Sequence, residues 1–259
     1  MTLSEKKKLP KSIHIIPLSG LPLIESGDDL AQLLLDALKS SGLRLVDKDV
    51  VVVTHKIVSK AEGRMIRSSE IVPSSAARKI AEEIEMDPYQ VQLILDESVR
   101  VVRKRKGLII AQHKNGWICA NAGVDFSNAP DDYYVRLPLN PDHSAHKIRQ
   151  GLEQYFGAKI GVVISDSHGR PFRLGVSGVA LGVSGLPGLV DRTGETDLYG
   201  YKLKNTQVAL ADLIDNAALL VMGESNEGVP AALIRGLLFE GRDGSGRELI
   251  RPDEMDLFR

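Results

Sequence analysis

DVVVVTH, Asp49 to His55, contains four consecutive valines that form an apolar run of strand length. Such a strand is typical of a sheet covered on both faces, because neither of its own faces carries polar side chains. A second run, IGVVI at Ile160 to Ile164, predicts another buried strand. It is followed by SDSHGRPFR, Ser165 to Arg173, which is either an ordinary polar loop or a site for a metal ion and an anionic group.

The segments around these runs predict both helices and antiparallel strands. SAHKIRQGLEQYFG, Ser144 to Gly157, indicates an amphipathic helix with a Ser N-cap, and Asn205 to Gly223 indicates a long helix. VRVVRKRKGLIIAQHKNGWICANAGVD, Val99 to Asp125, alternates in polarity and has turn signals at Lys106-Gly107 and Asn115-Gly116, as antiparallel strands do. We therefore expect an α+β fold with mixed β-sheets and flanking helices. A change of pattern after Asp142 suggests two α+β subdomains, residues 1–142 and 143–259.

The composition is that of a globular protein and restricts the classes of function. The 259 residues are 43% hydrophobic and 26% charged, and the formal net charge of −1 gives no field that favours nucleic acid or a membrane surface. The single cysteine, Cys119, excludes an intrachain disulfide and a multi-cysteine zinc site. No run of 18 apolar residues and no signal-peptide pattern occur, so we expect a cytoplasmic protein.

Three acidic residues stand at the ends of apolar runs: Asp125 follows NAGV, Asp166 follows GVVIS and Glu224 follows LLVMG. If they converge, their oxygens suit a hard cation such as Mg²⁺ or Mn²⁺, and the Ser167 hydroxyl adds a further oxygen ligand. The alternative is that each is a turn former or a helix cap. Common nucleotide and hydrolase fingerprints, including the phosphate loop GxxxxGK[ST], are absent from the sequence.

Basic and glycine-rich segments are the other candidates for a binding site. Lys60, with Lys56 close by, follows an apolar strand and is placed to contact a phosphate, although a solvent-exposed lysine at a helix start is an equal alternative. The turn from Gly223 to Gly228 encloses two carboxylates and suits a nucleotide or metal loop. For the glycines from Gly175 to Gly188 we favour tight strand packing or bulges. DRTGETDLYGYKL, Asp191 to Leu203, is a substrate-facing, dimer-facing or plain surface loop.

Several motifs occur in a fixed order that is more specific than any one of them. They are LSGLPLI, VVVVTHKIVSKAEGR, NAGVDFSN, SDSHGRPFRLGVSGVALGVSG, DLYGYKL and MGESNEGVPAALIRG. In this order, from about Ile13 to Leu238, the chain resembles the coenzyme F-420-0:L-glutamate ligase family.

The resemblance implies a homodimeric enzyme with an unusual fold. Its reaction would be the GTP-dependent addition of L-glutamate to the lactyl carboxylate of a deazaflavin precursor through an acyl phosphate, followed by γ-linked extension. Mg²⁺ or Mn²⁺ would be required, and K⁺ would assist. Two other classes stay open: a non-catalytic nucleotide- or deazaflavin-binding protein, and a metal-dependent phosphohydrolase.

The resemblance also assigns roles to residues. Asp125, Asp166, Ser167 and Glu224 match metal ligands, and Asp125, Asp166 and Lys60 would carry catalysis. Arg170 or Arg173 would face an anionic substrate. The positions that match nucleotide contacts are Leu21, Pro22, Leu23, Ile24, His55, Lys56, Lys60, Asn128, Met222, Gly223, Glu224, Ser225, Asn226, Glu227, Gly228 and Val229. His55 and Lys56 depart from the pattern, because archaeal members have small hydroxylic residues there, and this leaves the nucleotide preference open.

Overall fold

The computed structural model describes residues 10–257. The helices of this part are α1 (Leu30–Ser40), α2 (His55–Ala61), α3 (Ser75–Ile84), α4 (Pro88–Glu97), α5 (Pro141–Phe156) and α6 (Leu210–Met222). Its strands are β1 (His14–Leu18), β2 (Val50–Thr54), β3 (Met65–Arg67), β4 (Ser98–Arg105), β5 (Leu108–His113), β6 (Ile118–Ala120), β7 (Tyr133–Val135), β8 (Gly161–Arg170), β9 (Arg173–Ser184), β10 (Leu189–Asp191), β11 (Gln207–Ala209) and β12 (Ala231–Arg235). Short 3₁₀ helices cover Ser68–Glu70, Asn121–Gly123, Gly246–Leu249 and Asp253–Met255.

The two apolar runs form the centre of the largest sheet. Its strand order is β1-β12-β2-β8-β9, and β2 and β8 are its parallel pair, with Val50 opposite Gly161 and Thr54 opposite Ser165. Val51 and Val53 belong to a core with helices α1 and α5, whereas Val50 and Val52 belong to a core with α6. The valines are therefore buried because helices cover both faces of the sheet, as the run predicts.

A second group of elements lies between β2 and α5 in the chain. Strands β4, β5 and β6 form an antiparallel sheet, β3 pairs with β7, and α3 and α4 pack on a core of their own. The predicted turns are present, and both of their glycines have positive φ, +71° at Gly107 and +109° at Gly116. Mixed and antiparallel sheets with packed helices confirm the α+β prediction. The boundary at residue 142 stays a prediction, and the largest sheet takes strands from both sides of it.

The strand predicted at Ile160 to Ile164 is longer than we expected, because SDSHGRPFR continues it as far as Arg170 and then forms a hairpin turn. Strand β8 continues from Gly161 to Arg170 because β9 pairs with it along its whole length, with Asp166 opposite Val179 and Ser167 opposite Gly178. Only residues up to Ser165 also pair with β2. The rest of β8 and its partner form a two-stranded ribbon that extends beyond the sheet.

Helix α5 also differs from the prediction, because it begins at Pro141 and not after Ser144. Asn140 is its N-cap and accepts a hydrogen bond from the His143 amide at 3.1 Å, and a proline suits the first helical position. The predicted end at Gly157 is confirmed.

Polar side chains cover the outer edge of β9. Asn216 on α6 accepts from the Gly178 amide and donates to the Gly178 carbonyl, both at 3.0 Å, and Asp212 accepts from the Ala180 amide at 2.9 Å. They supply the bonds that a neighbouring strand would make. Glycines also allow close packing elsewhere along β9, as we expected: a Cβ on Gly182 would lie 2.3 Å from the carbonyl carbon of Pro141, the first residue of α5.

No helix within residues 10–257 combines the length and the apolar character needed to cross a membrane.

Candidate active site

The main candidate site is a cavity of about 380 Å³ at the edge of the sheet where β2 ends beside Ser165. Every residue that the resemblance assigns to the nucleotide lines this cavity, from Leu21–Ile24, through His55, Lys56, Lys60 and Asn128, to Met222–Val229. Asp166 and Ser167 line it as well, whereas Asp125 does not. Segments that are far apart in the sequence are thus brought together, and their individual roles stay predictions.

Helix α2 places both lysines at the cavity. Thr54 caps the helix by accepting from the Lys56 amide at 3.4 Å, and Lys56 and Lys60 are four residues apart on the same side of the helix. Lys60 Nζ donates to the Asn128 carbonyl at 2.6 Å. Burial and the charge of Lys56 lower the pKa of Lys60. Lys60 thus lies in the last turn of a helix, and not directly after a strand or at a helix start as expected.

Asp166 is held between two imidazoles. Its Oδ1 accepts from the Ser167 amide at 2.7 Å and lies 3.3 Å from His55 Nε2, and its Oδ2 lies 2.8 Å from His168 Nε2. Burial would raise the pKa of Asp166, but His55 and His168 outweigh this effect and hold the pKa well below its usual range. The side chain is therefore an anion that faces the cavity.

Glu224 and Ser167 lie next to this anion. The Ser167 hydroxyl donates to Glu224 Oε2 at 2.8 Å, and Glu224 belongs to the turn that follows α6. Gly223 begins this turn with φ +74°. Asp166, Ser167 and Glu224 thus bring two carboxylates and a hydroxyl together, and this donor set is of the kind that Mg²⁺ and Mn²⁺ prefer.

Asp125, the fourth predicted ligand, is bound to Lys56. The Lys56 Nζ lies 2.7 Å from Asp125 Oδ2, and the Ser127 hydroxyl donates to the same oxygen at 2.7 Å. Burial would raise the pKa of Asp125, but the contacts of Lys56 and Ser127 lower it. Asp125 does not itself line the cavity, but it is paired with Lys56, which does. In residues 10–257 no three His, Cys, Asp or Glu side chains form a group that could hold a metal ion. Convergence of all three carboxylates on one or two divalent cations stays a prediction.

Two residues near Asp166 were not assigned from the sequence. His168 follows Asp166 by two positions, so the two lie on the same face of β8, which an extended strand prediction would have indicated. Asp215 on α6 is fully buried, and neither of its oxygens has a hydrogen-bond partner within residues 10–257. Its carboxyl group packs against Gly178, where a Cβ would lie 2.9 Å from Asp215 Cγ. Three polar residues on one helical face, Asp212, Asp215 and Asn216, are the only signal for it in the sequence.

The chain is similar to known proteins over nearly its whole length. A model of the family described as F420-0:Gamma-glutamyl ligase matches residues 20–236. The coenzyme F420:L-glutamate ligase of Methanothermobacter thermautotrophicus is 47% identical over 249 residues, which are 95% of this chain and 99% of that protein.

Two further relatives carry the same name. That of Methanopyrus kandleri is 46% identical over 253 residues, 96% of this chain and 98% of its own. That of Methanocaldococcus jannaschii is 44% identical over 259 residues, 99% of both chains. Because the family match covers most of the chain and these relatives cover almost all of it, the chain belongs to the F420-0:gamma-glutamyl ligase family.

Proposed function

We propose that this protein is a GTP-dependent ligase that joins L-glutamate to the deazaflavin precursor F420-0 and then extends the γ-glutamyl tail. The names of its relatives support the substrates. The observation that carries the proposal is the cavity itself, which is lined both by Lys56 and Lys60 and by the oxygen donors Asp166, Ser167 and Glu224. Lysine side chains beside these oxygen donors suit a nucleoside triphosphate better than a neutral substrate.

The chemistry begins with a carboxylate, which is a poor electrophile and must be activated. A carboxylate oxygen of the precursor attacks the γ-phosphorus of GTP, and the bond from this phosphorus to the β-phosphate oxygen breaks. GDP is the leaving group, and the precursor becomes an acyl phosphate. The glutamate amine then attacks the acyl carbon, inorganic phosphate leaves, and the amine loses a proton as the amide forms. Positioning and electrostatic stabilisation supply most of the rate in such transfers.

The residues of the cavity divide this work. Lys60 holds a positive charge near the transferring phosphoryl group, and its anchor on the Asn128 carbonyl fixes its direction. Asp166, Ser167 and Glu224, joined by Asp125 once Lys56 releases it, would hold Mg²⁺ or Mn²⁺, which offsets charge on the phosphate oxygens. The segments Leu21–Ile24 and Met222–Val229 would receive the guanine nucleotide. We propose K⁺ as an assisting ion without assigning residues to it.

Exposed apolar side chains support the proposal that the enzyme is a homodimer. Phe172 and Leu174 at the tip of the β8–β9 ribbon are 89% and 99% exposed, and Leu198 and Tyr199 in the loop after β10 are almost completely exposed. A second copy that covers them would bury well over about 2,000 Å² in total, as obligate dimers do. Light scattering at micromolar concentration should give twice the chain mass, and a monomer mass would contradict the proposal.

GDP release under four conditions tests the proposed reaction. We expect GDP from GTP only when both the deazaflavin precursor and L-glutamate are present. Release without either substrate would instead identify a phosphohydrolase. Tight GTP binding with no release under any condition would identify a binding protein.

A further inference from the structure

Three hydrogen-bond donors surround the Asp166 carboxylate. The Ser167 amide and His55 Nε2 approach Oδ1, and His168 Nε2 approaches Oδ2. An ionised carboxylate only accepts hydrogen bonds, so each imidazole nitrogen that faces it is the donor. A carboxylate offers about four acceptor positions, and three are therefore in use. About one is left for a cation.

The two imidazoles come from different elements that meet at this carboxylate. His55 is the first residue of α2, directly after the buried strand β2, and His168 is on β8, two positions after Asp166. The side chains of His55 and His168 are only 4% and 13% exposed. His55 of α2 and His168 of β8 thus both contact the Asp166 carboxylate.

His55 has no evident structural reason to be buried. Its Nδ1 is enclosed and has no hydrogen-bond partner in the part of the chain that the structure describes. Leaving a buried polar atom unpartnered costs about 1–3 kcal/mol of stability. An apolar side chain would fill the same place without this loss, so the contact of Nε2 with Asp166 is the feature that the imidazole provides.

We propose that His55 and His168 are positioning residues, which orient the Asp166 carboxylate so that one acceptor position stays open for the divalent cation. The proposal rests on the proposed function, because it takes Asp166 as a ligand of that cation. It goes beyond the family resemblance, which gives His168 no role and places His55 among the nucleotide contacts. Supporting groups of this kind usually change metal affinity about 10- to 100-fold when they are removed.

Mn²⁺ binding to the full chain tests this proposal without relying on turnover. Free Mn²⁺ is measured by electron paramagnetic resonance at one neutral pH, without nucleotide. His168→Phe and His55→Phe keep a ring but remove the N–H donor, and we expect each to raise the Kd for Mn²⁺ about 10- to 100-fold. His168→Gln keeps a donor at similar reach and should bring the Kd back to within a few-fold of the wild type. His143→Phe, at an exposed position on α5, is the matched control and should bind Mn²⁺ like the wild type.

The outcomes separate this proposal from the proposed function. Wild-type affinity in both Phe variants, or equal losses in His168→Phe and His168→Gln, would overturn the positioning role and leave the ligase proposal intact. No Mn²⁺ binding by the wild type would overturn both the metal site and the inference built on it. Melting curves without metal show which variants fold. If His55→Phe does not fold, the less buried His168 carries the comparison by itself.

Discussion

Asp215 gives the sharpest prediction about stability. Its carboxyl group is fully buried on α6, where the Ser165 side chain interacts with it but neither oxygen has a hydrogen bond of ordinary geometry within the described residues. Burial raises its pKa to about 8, the neighbouring charges of Asp166, Asp212 and Glu224 add to the rise, and only Ser165 opposes it. In the unfolded chain the pKa of an aspartate is about 3.9. The folded protein therefore keeps a proton on Asp215 over a range of pH in which the unfolded chain has lost it.

The sign and size of the effect follow from this difference. Because the folded pKa is above the unfolded one, the contribution of Asp215 to stability is fully present below about pH 4 and is lost as the pH rises towards about 8. Between these limits the loss is about 1.4 kcal/mol per pH unit. From pH 5 to pH 7 the free energy of unfolding should thus fall by about 3 kcal/mol through Asp215 alone.

Urea unfolding of the wild type and Asp215→Asn, with EDTA at pH 5 and pH 7, measures this contribution. Asparagine keeps the shape but does not titrate, so the stability of the variant relative to the wild type should rise by about 3 kcal/mol between the two values. The unpaired side-chain amide of the introduced asparagine also changes the free energy of unfolding, but by the same amount at both pH values. Asp36→Asn, at an exposed position on α1, is the control and should follow the wild type. If the stability difference between Asp215→Asn and wild type changes by less than about 0.5 kcal/mol, Asp215 does not have the raised pKa.

Other substitutions test the packing and the site. Gly182→Ala places a Cβ 2.3 Å from the Pro141 backbone and should destabilise the fold by about 3 kcal/mol or more in urea unfolding; a loss below about 1 kcal/mol would contradict this close contact. Asn216→Leu removes both bonds to Gly178 and should cost about 2–3 kcal/mol, with faster hydrogen exchange at the Gly178 amide; unchanged exchange would contradict the edge-covering role. Lys60→Met should weaken GTP binding by about 2 kcal/mol, on the order of 30-fold by calorimetry, without lowering the melting temperature, and unaltered binding would remove Lys60 from the site.

Local patterns predicted the parts of the fold that depend on neighbouring residues. The valine run of β2 is readable because burial on both faces leaves a continuous apolar signal. The extension of β8 through Asp166 and His168 was missed because its polar residues are typical of a loop, and the pairing with β9 that makes it a strand is a tertiary contact. The start of α5 was missed because Asn140, and not the more obvious Ser144, is the cap.

The site shows the same division. The segments that the resemblance selects line one cavity, although no spacing in the sequence joins Leu21 to Val229. The ion pair of Lys56 with Asp125 and the buried position of Asp215 depend on how the second group of elements and α6 pack against the sheet. Such contacts leave no periodic signal, so the sequence alone could not show which acidic residues are paired and which are not.

The mass of the reaction product shows whether this protein ligates glutamate to the deazaflavin precursor. Wild-type protein and Asp166→Asn are each incubated with the deazaflavin precursor, L-glutamate, GTP and Mn²⁺, and the precursor is followed by mass spectrometry. We expect an increase of one or more glutamyl units with the wild type, and at least about 100-fold slower addition with Asp166→Asn, because a charged ligand near the phosphoryl group is lost. An unchanged precursor mass with folded wild-type protein, or equal rates for the two proteins, would contradict this expectation.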